Sequence, residues 1–324
     1  MDPDVRARIR RGVAIAATAQ GRAHEARGAP CEDAVCTVEG PVTVAAVADG
    51  AGSARHAKRG AETAARAAVR LLRDDLAGLL RAGPSCARER VLEVVDGALA
   101  AEAARLGATP RDLASTLLFV AVRQGRFLAG HLGDGLVGIR RGGRVEVLSQ
   151  PANGEHANET VFVPTRRGPG DLRLYTGASE GVDGFVLMTD GAADGLWGAT
   201  AEHPTVRSPS SVLARWWHGL DVFPAGDVEL ALAESLAGPV REATRDDCGV
   251  AIVRTVGLGR LGTARSRDLL GECGRRALRT RGRVARAWSA VDVDAGIDVI
   301  ARRARLHPST VRRHLDKLRR LGWG

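Results

Sequence analysis

The order of apolar and polar positions divides the chain into strands, then helices, then strands again. Residues 12–19 and 33–48 read as strands with a turn at Gly40-Pro41, and residues 42–48 are an unbroken run of β-branched and small apolar side chains, the pattern of a buried strand. Apolar residues recur at helical spacing over 57–81 and 87–106, two helices rich in Ala, Leu and Arg. Strand patterns return over 115–122, 126–131, 136–139 and 145–148, with turns at Gln124-Gly125, Gly133-Asp134-Gly135 and Arg140-Arg-Gly-Gly143. Residues 151–184 are irregular and rich in Gly, Pro and Asn, with one short strand predicted at 160–163. Residues 185–189 form a buried strand, 192–239 carry helices near 210–219 and 227–237, and 248–255 make a last strand. Strands, two long helices and more strands point to an α+β domain rather than an alternating parallel α/β one.

Several acids sit where these strands stop. Asp49 and Asp190 each follow a buried strand and precede a glycine, Asp134 precedes the glycine of a strand-to-strand turn, Asp246 stands just before the last strand, and Glu32-Asp33 stand before the strand at 34–38. Singly, each reads as a turn or helix cap. Together, acids at strand ends can converge at one end of a sheet, where they repel one another unless neutralised, and a divalent cation is their natural partner. An oxygen-only set without His or Cys favours Mg²⁺ or Mn²⁺ over Zn²⁺.

The ordered blocks Gly28-Ala-Pro-Cys-Glu32-Asp33, Val47-Ala-Asp49-Gly50-Ala-Gly-Ser53, Gly130-His-Leu-Gly133-Asp134-Gly, Val186-Leu-Met-Thr-Asp190-Gly191 and Arg245-Asp246-Asp247-Cys-Gly-Val250 resemble the bacterial metal-dependent protein phosphatases of type 2C. The resemblance covers residues 12–255. It implies a four-layer α-β-β-α sandwich of two antiparallel sheets with two Mn²⁺ or Mg²⁺ ions at one end. By position it implies Asp49 bridging both ions, Asp190 and Asp246 completing one, and Glu32 with the Gly50 carbonyl holding the other. Asp33 would act through a water, and Asp134 matches an acid of a third, weaker metal. The implied activity is hydrolysis of phosphoserine or phosphothreonine on a protein by a metal-bridged water, with Asp49, Asp190 and Asp246 as the catalytic carboxylates. Gly154-Glu-His-Ala-Asn158-Glu-Thr160 resembles a subset found beside kinases in bacterial multi-gene systems, so a cognate Ser/Thr kinase is an implied partner. Two departures stand out. Ala51 occupies a position where many members carry a His able to protonate the leaving oxygen, with His56 a substitute or a surface residue. Gly28 occupies the place of a phosphate-binding Arg, leaving Arg22, His24 and Arg27 as candidates for that role. Asp247 stands where many members have Asn.

Charge adds a second module. The 324 residues carry a net charge of +9. Residues 254–324 hold 18 Arg+Lys and 6 Asp+Glu, a balance of +12, so the rest of the chain is at −3. The basic character therefore belongs to the C-terminal fifth and calls for an acidic or polyanionic partner. We divide the chain into a phosphatase-like domain at 1–256, a Gly-rich linker at 257–266 and a basic helical domain at 267–324. Within the last, 296–306 read as a short helix, His307-Pro308 breaks it, and Ser309 caps a second helix over 310–321 with Val311, Leu315, Leu318 and Leu321 as its apolar stripe. This pattern, with 267–288 as a preceding helix, resembles a helix-turn-helix, with Arg312, Arg313 and Lys317 placed to meet duplex DNA. A bundle with solvated arginines or a protein-docking module reads the same way. The alternative for the whole chain is a DNA-binding regulator whose phosphatase-like domain is a weakly active or inactive sensor.

Five cysteines at 31, 36, 86, 248 and 273 form no zinc spacing and no disulfide framework. The apolar run after Arg6–Arg11 is short for a leader and reads as the first strand. No stretch reaches the roughly 18 apolar residues of a membrane span. These features point to a cytoplasmic protein with no membrane partner.

Overall fold

The computed structural model describes residues 12–123, 125–151, 160–165, 168–179, 181–199, 207–222, 225–255 and 296–320, with helical positions at 277, 280, 281, 283, 284 and 287. Two five-stranded antiparallel sheets form the centre of the molecule. The first has the order β1 (Val13–Ala19), β12 (Cys248–Arg254), β9 (Val182–Met188), β6 (Leu136–Arg141), β7 (Arg144–Ser149). The second runs β2 (Ala34–Val38), β3 (Thr43–Ala48), β4 (Leu117–Arg123), β5 (Arg126–Leu132), β8 (Arg173–Ala178).

The facing sides of the sheets make one core, in which Ala45 and Val47 of β3 meet Phe185 and Leu187 of β9 and Ala251 and Val253 of β12. The alternate residues of β3, Val44, Ala46 and Ala48, point the other way and are equally buried, beneath α2 (Ala57–Ala82) and α3 (Pro84–Leu106). That double burial explains why 42–48 contains no polar residue except Thr43. The outer face of the first sheet, including Ile15, Val186 and Ile252, packs under α5 (Ser211–Val222) and α6 (Ala225–Ser235) through Trp216, Trp217, Leu220 and Leu232. The result is the expected α-β-β-α layering. A short hairpin, β10 (Trp197–Ala199) with β11 (Arg207–Pro209), lies outside both sheets.

Several elements differ from expectation. Residues 160–163 form no strand; Val163 makes a single bridge to Ser115. The strand of that region is β8, whose side chains are at most partly buried because it lies on the sheet's edge. Two short helices escape the periodicity, α1 (Arg22–Ala26) and α4 (Asp190–Leu196). In the C-terminal region α7 (Ile297–Ala304) and α8 (Pro308–Arg320) are present, and Pro308 opens α8 instead of ending α7. Proline is accommodated there because the first helical N–H groups have no intrahelical acceptor. The linker 257–266 and residues 154–159 lie outside the described residues, as do the side chains of 318–321.

Candidate active site

Strands β3, β9 and β12 and the β5–β6 turn bring acids from both sheets to one end of the sandwich. At the end of β3 the Asp49 backbone is clamped by Thr116: its N–H donates to Thr116 Oγ1 at 2.9 Å and its carbonyl accepts from the Thr116 N–H at 2.8 Å. The Gly50 N–H donates to the Glu32 carbonyl at 3.2 Å, which ties the Glu32-Asp33 segment to the same strand end. After β9, the Thr189 hydroxyl donates to Asp33 Oδ2 at 2.8 Å and accepts from the Gly249 N–H at 2.9 Å. One side chain thereby joins β9, β12 and the residue before β2. Asp190 opens α4 and accepts from the Gly191 N–H at 2.7 Å. A Cβ on Gly191 would stand 2.2 Å from the Asp247 carbonyl oxygen and 3.0 Å from Asp246 Cβ, so glycine allows α4 to approach the Asp246-Asp247 segment this closely. Gly133, with φ +114°, turns the chain so that Asp134 enters the same space.

Oxygen atoms of Asp49, Asp134 and Asp190 lie within 4.8 Å of one another. None of the three forms an ion pair with a described Arg or Lys. Asp134 Oδ2 accepts from the Thr160 hydroxyl at 2.5 Å, while its buried Oδ1 has no partner among the described residues. The crowding raises proton affinity. Burial, reinforced by Asp134 and Asp246, pushes Asp190 up to about 6. Burial also drives Asp49 well above the usual carboxylate range, with Asp33, Asp190, Asp134 and Asp246 adding to it. Asp33 is raised by burial against the pull of the Thr189 hydroxyl, and Glu32 is raised by burial against the pull of His24. A partly buried, oxygen-only cluster without an ion-pair partner among the described residues, and with an orphaned carboxylate oxygen, fits a hard divalent cation, Mg²⁺ or Mn²⁺.

The remaining expected residues fall around this cluster. Asp246 accepts from the Asp247 N–H at 2.9 Å and neighbours Asp190 and Glu32 closely enough to raise both. Of the phosphate-binding candidates, His24 is buried with both ring nitrogens beside acids, Nδ1 2.6 Å from Asp247 Oδ2 and Nε2 3.6 Å from Glu32 Oε2. Arg22 donates to the Thr244 carbonyl at 3.2 Å. Arg27 is exposed, and its charge reaches Glu32. Ala51 is buried, and His56 precedes α2 with its N–H on the Asp112 carbonyl at 2.7 Å.

Sequence reading missed four contributors. Thr116 carries no motif signal, because a threonine beside a strand is ordinary, and Thr160 and Thr189 stand inside the quoted blocks with no role read into them. Asp247 is the fourth. Its Oδ1 accepts from the Gly21 N–H and its Oδ2 from the Glu32 N–H, both at 2.6 Å, and Oδ2 also meets His24. It fastens α1 and the Glu32 segment to the start of β12.

The family model for protein phosphatase 2C matches residues 20–231, about two thirds of the chain. No curated protein matches the chain by sequence. Among solved structures, a bacterial serine phosphatase superposes with a TM-score of 0.54 at 12% identity, covering 76% of this chain and 98% of its own. A C. elegans sex-determining protein does so with a TM-score of 0.51 at 15% identity, covering 75% and 64%. At these identities the likeness is one of fold, and it agrees with the two facing sheets. The matched family model, spanning the elements that carry Glu32, Asp49, Asp134 and Asp190, makes this chain a member of the protein phosphatase 2C family.

Proposed function

We propose that the chain is a Ser/Thr protein phosphatase that hydrolyses phosphoserine and phosphothreonine on proteins at a two-cation carboxylate centre. The observation that carries this reading is the convergence of Asp49, Asp134 and Asp190 oxygens within 4.8 Å, unpaired and partly buried. In this reading Asp49, Asp190 and Asp246 with Glu32 and the Gly50 carbonyl hold two Mn²⁺ or Mg²⁺ ions, and Asp134 serves a third, weaker position. When bound, such ions supply an acidified water as nucleophile and neutralise charge on the phosphoryl group.

The chain's own residues do the positioning. Thr116 fixes the Asp49 backbone, Thr189 orients Asp33, and Asp247 anchors the Glu32 segment. Unneutralised, the carboxylates would repel a phosphomonoester, which makes catalysis strictly cation-dependent. Arg27, exposed and close enough to influence Glu32, is the candidate to meet the phosphate. Ala51 has no proton to give, so protonation of the leaving oxygen falls to water or to His56. The implied partners are a phosphoprotein and the kinase that phosphorylates it. Among the described residues no helix is long and apolar enough to cross a membrane.

The test is phosphate release from a phosphothreonine peptide in Mn²⁺. The reading expects multiple turnovers, loss of activity in EDTA and slower release from the matched phosphotyrosine peptide. No release from any phosphopeptide by folded, Mn²⁺-loaded protein would overturn it.

A further inference from the structure

The basic C-terminal helices are not used by the phosphatase centre, and their geometry has its own logic. Helix α7 ends in a left-handed residue, Arg305 (φ 51°, ψ 51°). The N–H groups of Arg305 and Leu306 close the helix on the carbonyls of Arg302 (3.1 Å) and Ala301 (3.0 Å). The next residue starts α8: the His307 carbonyl accepts from Thr310 and Val311 at 3.0 and 3.1 Å, and its ring Nδ1 meets Ser309 Oγ at 2.8 Å. A third segment braces this turn, since the Arg283 guanidinium donates to the carbonyls of Ala304 (2.6 Å) and Arg305 (2.9 Å). Ile300, Ala304, Val311 and Leu315 are buried, as is Val284 of the third segment. The angle between α7 and α8 is therefore set by a small core and a hydrogen-bonded turn.

The outward side of α8 is a single stripe. Ser309, Arg312, Arg313, Asp316 and Lys317 are all exposed and fall at i, i+3, i+4, i+7 and i+8. Arg302 and Arg305, exposed at the end of α7, extend the cationic surface towards the start of α8. At 13 residues, α8 is ~20 Å long by the 1.5 Å rise per residue, enough to lie in a major groove.

We propose that this unit is a helix-turn-helix that binds duplex DNA, with the exposed stripe of α8 in the major groove and the cations at the α7 end on the flanking phosphates. Charge complementarity selects the partner: residues 254–324 carry +12 while the rest of the chain is at −3. A braced two-helix turn presenting one polar helix face suits a groove of the width of B-form DNA, and the narrow, deep major groove of an RNA duplex excludes it. The proposal stands independently of phosphatase activity.

The test is fluorescence anisotropy with the full-length chain and a labelled 30-base-pair duplex, titrated over a series of NaCl concentrations. Wild type is expected to bind at low salt with log K falling linearly against log salt. The Arg302→Ala/Arg305→Ala double variant, which removes cations at the α7 end, should bind more weakly, with a slope shallower by about 2, one for each phosphate contact removed. Its phosphatase activity and far-UV spectrum should match wild type, and Asp49→Asn should leave DNA binding intact. The proposal is overturned by absence of binding at low salt, by an unchanged slope in the double variant, or by equal or tighter binding to duplex RNA or polyglutamate.

Discussion

Removing the carboxylate of Asp247 should cost this fold more than removing any single catalytic acid. Asp247 is 3% exposed and holds three partners at 2.6 Å: the N–H groups of Gly21 and Glu32, and the His24 ring. Hydrogen bonds to a buried charge are worth ~1.5–3 kcal/mol each, so three amount to ~4–9 kcal/mol before compensation. Two effects reduce this. The substitution relieves repulsion, because Asp247 raises the proton affinity of both Asp33 and Glu32. Water can also enter the space left and satisfy part of the donors. We therefore expect Asp247→Ala to destabilise by ~3–5 kcal/mol, which for a domain of this size lowers Tm by ~6–20 °C. Asp247→Asn keeps one acceptor oxygen but sets its amide against a remaining donor, so its loss should be ~1–2 kcal/mol. The assay is thermal unfolding in EDTA, followed by circular dichroism. A fall of less than ~2 °C for Asp247→Ala would refute the idea that this residue fastens α1 and the Glu32 segment to β12.

Three further outcomes follow from the same geometry. Asp190 titrates near 6 in the folded chain, above an unfolded carboxylate, so the folded state binds the extra proton; metal-free stability should fall as pH rises from about 4 through 6, and Mn²⁺ affinity should rise over the same interval, both readable by thermal shift with and without Mn²⁺. His24→Ala should weaken Mn²⁺ binding ~10-fold by calorimetric titration, because it releases Glu32 and Asp247 at once, while His24→Gln should recover part of the loss. Gly191→Ala places a methyl 2.2 Å from the Asp247 carbonyl, so it should separate Asp190 from Asp246 and lower kcat for phosphopeptide by at least ~10-fold; unchanged kcat would show that this close approach is dispensable.

The acids that converge were legible because strand ends announce themselves: a buried apolar run followed by Asp-Gly fixes both the direction of the carboxylate and the turn after it. The layers were legible for a similar reason, since β3 is apolar on both faces and α2 and α3 carry apolar residues at helical spacing. What escaped depends on contacts far apart in sequence. Helix α1 is five residues long with no capping side chain of its own, and it is seated by Asp247, which stands more than 220 positions away. The same contact turns His24 inward; its place near Gly28 in the sequence made it a candidate for phosphate binding, and the ring lies between two acids. Helix α4 contains two glycines, which argue locally against a helix, and forms where α4 packs on the start of β12. Strand β8 was hidden by its edge position, which leaves polar residues such as Arg173 and Thr176 in the ladder, while Val161-Phe162-Val163 imitated a strand and makes one bridge.

The central claim is that the Asp49, Asp134 and Asp190 cluster is a cation centre that drives phosphomonoester hydrolysis. The most direct measurement is a Mn²⁺ titration of wild type and Asp49→Asn, with phosphothreonine-peptide turnover recorded in the same samples. The account predicts that wild-type turnover rises with Mn²⁺ occupancy, and that Asp49→Asn, folded by circular dichroism, loses at least ~100-fold in turnover together with its tightest Mn²⁺ binding. Turnover that ignores Mn²⁺, or an Asp49→Asn variant that binds and turns over like wild type, would contradict it.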